Sequence, residues 1–238
     1  MTYILFLKRL FYVYTMRFDL VKVNNGIYDV TVIANDEYIG PSIRRGYEWD
    51  RWMRREARLY HKPGTHILDI GANIGYNTLL FSDYGPVIAF EPVFHQIVKM
   101  NVENNTLRHQ VQVGECALSD VKEVREINIP VHGCESNTHI NYGGASLYTS
   151  ETVKTTPITV NCERLDDIYD GVPSLMKIDV EGHELNVLKG ATETIKKHKP
   201  AILIEIHDFT EENEVHVYLK SLGYDDPIKK PEAIYLYT

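Results

Sequence analysis

Residues 67–75 read Ile67-Leu-Asp-Ile-Gly-Ala-Asn-Ile-Gly75, a short apolar run that ends in an acid and breaks into a glycine turn. A second apolar run, Val87-Ile-Ala-Phe90, is followed by Glu91, which stands 22 positions after Asp69. A strand, a glycine turn and an acid on the next strand together make a pocket for a nucleoside. Glycine lets the backbone turn sharply and approach a ligand, and a carboxylate suits the paired hydroxyls of a ribose. The chain is therefore expected to bind an adenosine-containing cofactor.

The spacing within the turn narrows the choice. A Gly-x-Gly-x-x-Gly loop clears room for pyrophosphate on backbone N–H groups at a helix start. Here the order is Asp69-x-Gly71-x-Asn73-x-Gly75, with Ala72 between the first glycine and a side chain at Asn73 where a diphosphate needs space. A carboxylate is a poor neighbour for phosphate and a good partner for an ammonium group, directly or through water. S-adenosylmethionine, with a ribose, an amino-acid tail and no phosphate, fits best. NAD on an oxidoreductase or epimerase is the alternative; it needs phosphate room at Asn73 and usually a Tyr-x-x-x-Lys pair, which the chain lacks. A non-catalytic binding module on the same scaffold is a third reading.

At 238 residues and 44% hydrophobic content the chain can bury a full core and is expected to form one domain. The net charge is −8, and the basic groups at residues 51–58 and 196–199 read as solvated helix faces, so no nucleic-acid partner is expected. Cys116, Cys134 and Cys162 are odd in number and lack zinc spacing, which suits free thiols in a reducing, cytoplasmic setting. Residues 1–16 are apolar and aromatic but are interrupted by Lys8 and Arg9. They are too short to span a bilayer, and read as a packed strand or helix rather than a stable membrane anchor.

Periodicity then orders the chain. Residues 18–33 alternate polar and apolar side chains around an Asn-Asn-Gly turn, predicting a hairpin, and residues 48–59 predict an amphipathic helix. Residues 1–60 are thus an N-terminal extension packed on a main domain of residues 61–238. In that domain, strands at 66–70, 87–90, 111–113, 174–178 and 201–206 alternate with helices at 77–84, 94–104, 184–197 and 211–221. Continuously apolar strands between helices imply a mainly parallel sheet covered on both faces, and residues 223–237 predict a terminal hairpin as an antiparallel edge. Residues 123–129 and 158–160 look like strands flanking a polar stretch, 130–156, that reads as a substrate loop.

Ligands bind outside the carboxyl ends of such strands. Asp69, Glu91, Glu115, Asp179 and Glu205 all fall at or just past those ends. Each alone could be a helix cap or turn former, Glu91 with Pro92 behind it and Glu115 especially. Asp179, Glu181 and His183 alternate, so in an extended segment they would face one side, opposite Glu205 and His207. Such a group could orient a hydroxyl and take its proton, or bind a divalent metal, although no metal is assigned. Glu181 and Glu184 could instead cap the next helix.

Asp69-Ile-Gly-Ala-Asn-Ile-Gly-Tyr76, Phe90-Glu-Pro92, Ala117-Leu-Ser-Asp120, Gly143-Gly-Ala-Ser146 and above all Lys177-Ile-Asp-Val-Glu-Gly-His-Glu184 with Val187-Leu-Lys-Gly-Ala191 resemble the FkbM-type S-adenosylmethionine-dependent methyltransferases, from about residue 39 to 207. The resemblance implies a Rossmann-like class I methyltransferase fold with a seven-stranded sheet, and O-methylation of a hydroxyl, often on a sugar or natural product. It implies that Asp69, Gly71, Asn73 and Gly75 line the methionine part, Glu91 the ribose, and Glu115, Cys116 and Ala117 the adenine. Asp179 would lie beside the methyl and Glu181 near a small-molecule or glycan acceptor. Many relatives carry an aromatic residue in place of His183, which leaves that histidine as either a base or a polar substitute at a packing position. Tyr142, Asn141 and His139 in the polar loop would suit a sugar.

Overall fold

The computed structural model describes residues 9–13, 16–132, 140–145 and 154–238. The readings made for residues 1–8, for Cys134, His139 and Ser146, and for most of the polar stretch fall outside these. The first strands, β1 (Arg9–Val13), β2 (Met16–Asn24) and β3 (Asp29–Ile33), form an antiparallel sheet. The predicted hairpin is its β2–β3 pair, turned at Gly26 with a φ of 90°. A short helix, α1 (Ile39–Arg44), follows unannounced by the sequence pattern, and then α2 (Met53–Tyr60). The helix expected from residue 48 starts later because Asp50 adopts a φ of 48°, a left-handed conformation that aspartate tolerates and a helix does not.

The remaining elements are β4 (His66–Ile70), α3 (Tyr76–Phe81), β5 (Val87–Phe90), α4 (His95–Glu103), β6 (Val111–Gly114), β7 (Ala117–Leu118), β8 (Glu123–His132), β9 (Lys154–Glu163), α5 (Leu165–Ile168), β10 (Pro173–Ile178), α6 (Glu184–Gly190), α7 (Thr192–His198), β11 (Ala201–Glu205), α8 (Glu214–Ser221), β12 (Ile228–Lys229) and β13 (Ile234–Tyr237). The central sheet has seven strands in the order β12-β13-β11-β10-β4-β5-β6. Its middle is parallel and β13 turns antiparallel against β11, as the terminal hairpin predicts. Every residue of β10 is buried, as a strand covered on both faces requires. Chain order reverses between β4 and β10, so a crevice opens at their carboxyl ends.

Residues 130–132 and 154–156, expected within the loop, instead extend β8 and β9, which pair antiparallel in a third sheet. The helix expected over residues 184–197 is two helices. Gly190 and Ala191 end the first, and Asp166 accepts the N–H groups of Glu193 and Thr194 at 3.0 and 2.9 Å, capping the second. The N-terminal strands pack on the helices beside the crevice. Asn101 of α4 accepts from Thr31 N at 2.6 Å and donates to Ile74 O at 2.7 Å, joining β3, α4 and the glycine turn. Among the described residues no helix is long and apolar enough to cross a membrane.

Candidate active site

The crevice is floored by the turn after β4. Gly71 has a φ of 76°, and a Cβ there would meet the Asp179 carbonyl oxygen at 1.8 Å, so only glycine lets β4 and β10 end side by side. Gly75 does not line the cleft; its φ is 81°, and a Cβ would meet Val98 Cγ1 at 2.8 Å, so it serves the packing of α3 on α4. Asp69, expected to face an ammonium group, is fully buried beneath the turn and does not line the cleft either. It accepts from Thr78 Oγ1 at 2.5 Å and lies 3.6 Å from Lys177 Nζ. Gly71, Ala72 and Asn73 do line it.

Glu91 reaches across from the end of β5. Its Oε2 accepts the Asn73 N–H at 2.8 Å, and its Oε1 accepts the N–H groups of Val93 and Phe94 at 2.8 and 3.0 Å. The capping role and the cleft role therefore coexist. Three of about four acceptor positions of the carboxylate are used, which leaves room for a ligand hydroxyl. Burial raises its pKa, and the three N–H groups pull against that rise. Pro92, Cys116, Ala117 and Leu118 continue the wall. Glu115 does not: it points to solvent, paired with Lys99 and 3.6 Å from His95, because β6 ends one residue earlier and the chain turns its side chain outward. Cys116 and Cys162 are free thiols, and burial pushes Cys116 up to about 11, so it stays neutral.

At the other end the extended alternation does not hold. Glu181 and Gly182 take φ values of 53° and 96°, so the chain curls into α6 instead of continuing β10. Asp179, Glu181 and Glu205 still meet in the cleft, and Glu205 shares a hydrogen bond with Asp179. Burial, then the charges of Asp179 and Glu184, push Glu181 up to about 7. Burial and the surrounding acids hold Glu205 well above its ordinary range. His183 borders the cleft but is 1% exposed, with Nε2 3.0 Å from Ser119 Oγ, and burial lowers it to about 4. A neutral, packed imidazole is a poor proton acceptor here. His207 is exposed and outside the cleft lining; its Nε2 lies 3.2 Å from Glu205 Oε2. Glu181, Glu205 and His207 offer ligand atoms within 4.8 Å of one another, a grouping that a divalent cation could use.

Several cleft residues escape a reading by motif. Asp50 and Trp49 arrive from the N-terminal segment and Glu232 from the β12–β13 turn, whereas Asn141 and Tyr142, read from the sequence as sugar contacts, do line the cleft. Ile140 N donates to Asn35 O at 2.9 Å and Tyr142 packs edge-on against Phe18 and Phe94, which seats residues 140–145 at the cleft. Lys177 is the most telling omission. It is 3% exposed inside β10, and a lysine within the apolar run Leu175-Met-Lys-Ile178 is a signal the sequence does carry.

A parallel sheet with a crevice at its switch point, a glycine turn and an acid at the end of β5 define an enzyme fold of the Rossmann-like methyltransferase class. The FkbM methyltransferase domain model matches residues 69–225, and the chain belongs to that family. It is 25% identical over 170 residues to hexuronic acid methyltransferase AglP of Haloferax volcanii, covering 68% of this chain and 64% of AglP, which is less than two thirds of that protein's length. It is 28% identical over 186 residues to 31-O-demethyl-FK506 methyltransferase FkbM of Streptomyces tacrolimicus, covering 66% of this chain and 70% of that one. A crystal structure of methyltransferase FkbM from Methylobacillus flagellatus aligns over 82% of this chain and 54% of its own, at 18% identity and a TM-score of 0.47.

Proposed function

We propose that this chain transfers a methyl group from S-adenosylmethionine to a hydroxyl of a small polyhydroxylated acceptor, a sugar or glycan. One observation carries the choice of cofactor. Among the described residues the cleft is lined by Asp50, Glu91, Asp179, Glu181, Glu205 and Glu232, against a single lysine, Lys177, which two carboxylates already hold. A pyrophosphate would find carboxyl groups and no free lysine or arginine there to balance it, whereas a sulfonium and an ammonium group would be welcomed.

The donor set fits the ligand part by part. The spare acceptor position of Glu91 suits a ribose hydroxyl, and the apolar wall of Cys116, Ala117 and Leu118 suits a flat base. The turn of Gly71, Ala72 and Asn73 would carry the amino-acid tail, and Asp179 would lie beside the methyl. When bound, the cofactor would supply a methyl on a sulfonium, an electrophile whose C–S bond would break as the acceptor oxygen forms its bond to carbon. Such a step depends on alignment and partial exclusion of water. Glu181, poised near 7, takes the hydroxyl proton, and Asp179 orients the acceptor. The rings of Trp49 and Tyr142 offer apolar faces on which a sugar can pack. One relative is named for a hexuronic acid, which supports a sugar acceptor, and another for 31-O-demethyl-FK506, which supports methylation of a small-molecule oxygen.

Calorimetry with S-adenosylmethionine, S-adenosylhomocysteine and NAD tests the cofactor, and labelled methyl transfer to a panel of glycans and small phenols tests the acceptor. Tight uptake of NAD with indifference to the sulfonium would overturn the reading.

A further inference from the structure

The β10 lysine is the only cation lining the cleft among the described residues, and it touches three different parts of the site. Lys177 Nζ donates to the Gly71 carbonyl at 2.8 Å, pairs with Asp179 Oδ2 at 3.1 Å and stands 3.6 Å from Asp69 Oδ1. Gly71 belongs to the turn, Asp69 to the strand beneath it, and Asp179 to the acceptor end. An ammonium has three donors, so its geometry here is nearly spent on the protein itself. A lysine this deeply buried is costly unless its charge is paired, and the pairing here spans the sites of both substrates.

We propose that Lys177 is a positioning residue: through the Gly71 carbonyl and the Asp179 carboxylate it sets the register of the glycine turn against the acid that faces the transferred methyl. This rests on the cofactor reading above. Lys177 carries no proton in the reaction. It fixes where the turn's backbone lies and keeps Asp179 aimed into the cleft. Without it, Asp179 would face Glu205, Glu181, Glu184, Asp50, Glu232 and buried Asp69 with no cation to hold it in place.

The test is the affinity of the full chain for S-adenosylmethionine and S-adenosylhomocysteine, measured by calorimetry at neutral pH. In K177M the affinity is expected to fall at least about tenfold. K177R, which keeps the charge, should recover part of the loss. Because K177M leaves Asp69 buried without a cation, K177M/D69N is the companion variant. It removes that burden, keeps Asp179, and should show a loss of the same size. Wild-type affinity in either methionine variant would overturn the proposal. A wild type that binds neither ligand would instead overturn the cofactor reading, and this proposal with it.

Discussion

The Glu91 carboxylate accepts the Asn73 N–H at 2.8 Å, so the acid that ends β5 is tied to the turn that follows β4. The same carboxylate holds Val93 and Phe94 at the approach to α4. One side chain thus shapes the turn, holds the approach to a helix and faces the cleft. In Glu91→Gln one amide oxygen can still accept while the NH2 group opposes an N–H donor. The variant should lose about 1 to 3 kcal/mol of stability and at least about tenfold in affinity for S-adenosylhomocysteine. Urea denaturation and calorimetry measure the two losses separately. A full stability loss with intact affinity would leave Glu91 only its structural role.

The parallel sheet, its antiparallel edge and the acids at the strand ends were legible because they obey local rules: continuous apolar runs, glycine turns and a fixed strand-to-acid spacing. What was illegible depends on tertiary placement. Asp50 enters the cleft through a left-handed residue that interrupts a helical pattern, and Glu232, with a φ of 60°, projects from a hairpin turn. Asp69 shares its motif with the turn, yet burial beneath Thr78 and Lys177 turns it into a support for the cleft floor. Glu115 follows β6 directly, and the direction of its side chain depends on the path the chain takes there, which no local pattern encodes. The alternation at Glu181 and His183 requires an extended backbone, which the positive φ values at residues 181 and 182 deny.

Glu181 links pH to stability. Its carboxyl rises from an ordinary 4.5 to about 7 in the folded protein, through burial first and the charges of Asp179 and Glu184 second. Between those two values the folded chain binds more protons than the unfolded one, so this group's contribution to stability declines as pH rises through the window. Glu181→Gln abolishes that decline. Its melting temperature should exceed the wild type's above pH 7 by the equivalent of roughly 2 kcal/mol, with the difference vanishing near the ordinary carboxylate pKa. Methyl transfer should drop about 10²-fold or more in the same variant, as expected for a lost general base. Equal melting curves at high pH would show that Glu181 is not under strain.

His183 separates base from packing. Its ring is buried against Ser119, whose hydroxyl also donates to Asp120 Oδ1 at 3.1 Å, and Asp120 in turn accepts from Asn186 at 2.9 Å. Neutral at physiological pH, the imidazole completes a small polar cluster behind the cleft. His183→Phe should therefore keep methyl transfer within about threefold. It should cost about 1 to 3 kcal/mol of stability, because the buried Ser119 hydroxyl is deprived of its imidazole hydrogen bond. A fall of about 10²-fold or more with the fold intact would restore the histidine as base.

Charge at the acceptor end predicts which sugars are accepted. Asp50, Asp179, Glu181, Glu205 and Glu232 border it, and Lys177 is committed to Asp179 and the turn. Residues 133–139 and 146–153 contain no lysine or arginine, so those parts of the polar stretch bring no permanent cation. A carboxylate-bearing acceptor would face like charges in a partly buried cleft, and like-charge juxtaposition is an effective means of rejection. Despite its likeness to a hexuronic acid methyltransferase, this chain is expected to favour neutral or amine-bearing sugars over uronic acids by at least about tenfold in kcat/KM. Labelled methyl transfer to matched glucose, glucosamine and glucuronic acid glycosides measures the ratio, and Glu232→Gln with Asp50→Asn should narrow it. Preference for the uronate in the wild type would mean that a cation from elsewhere completes the acceptor site.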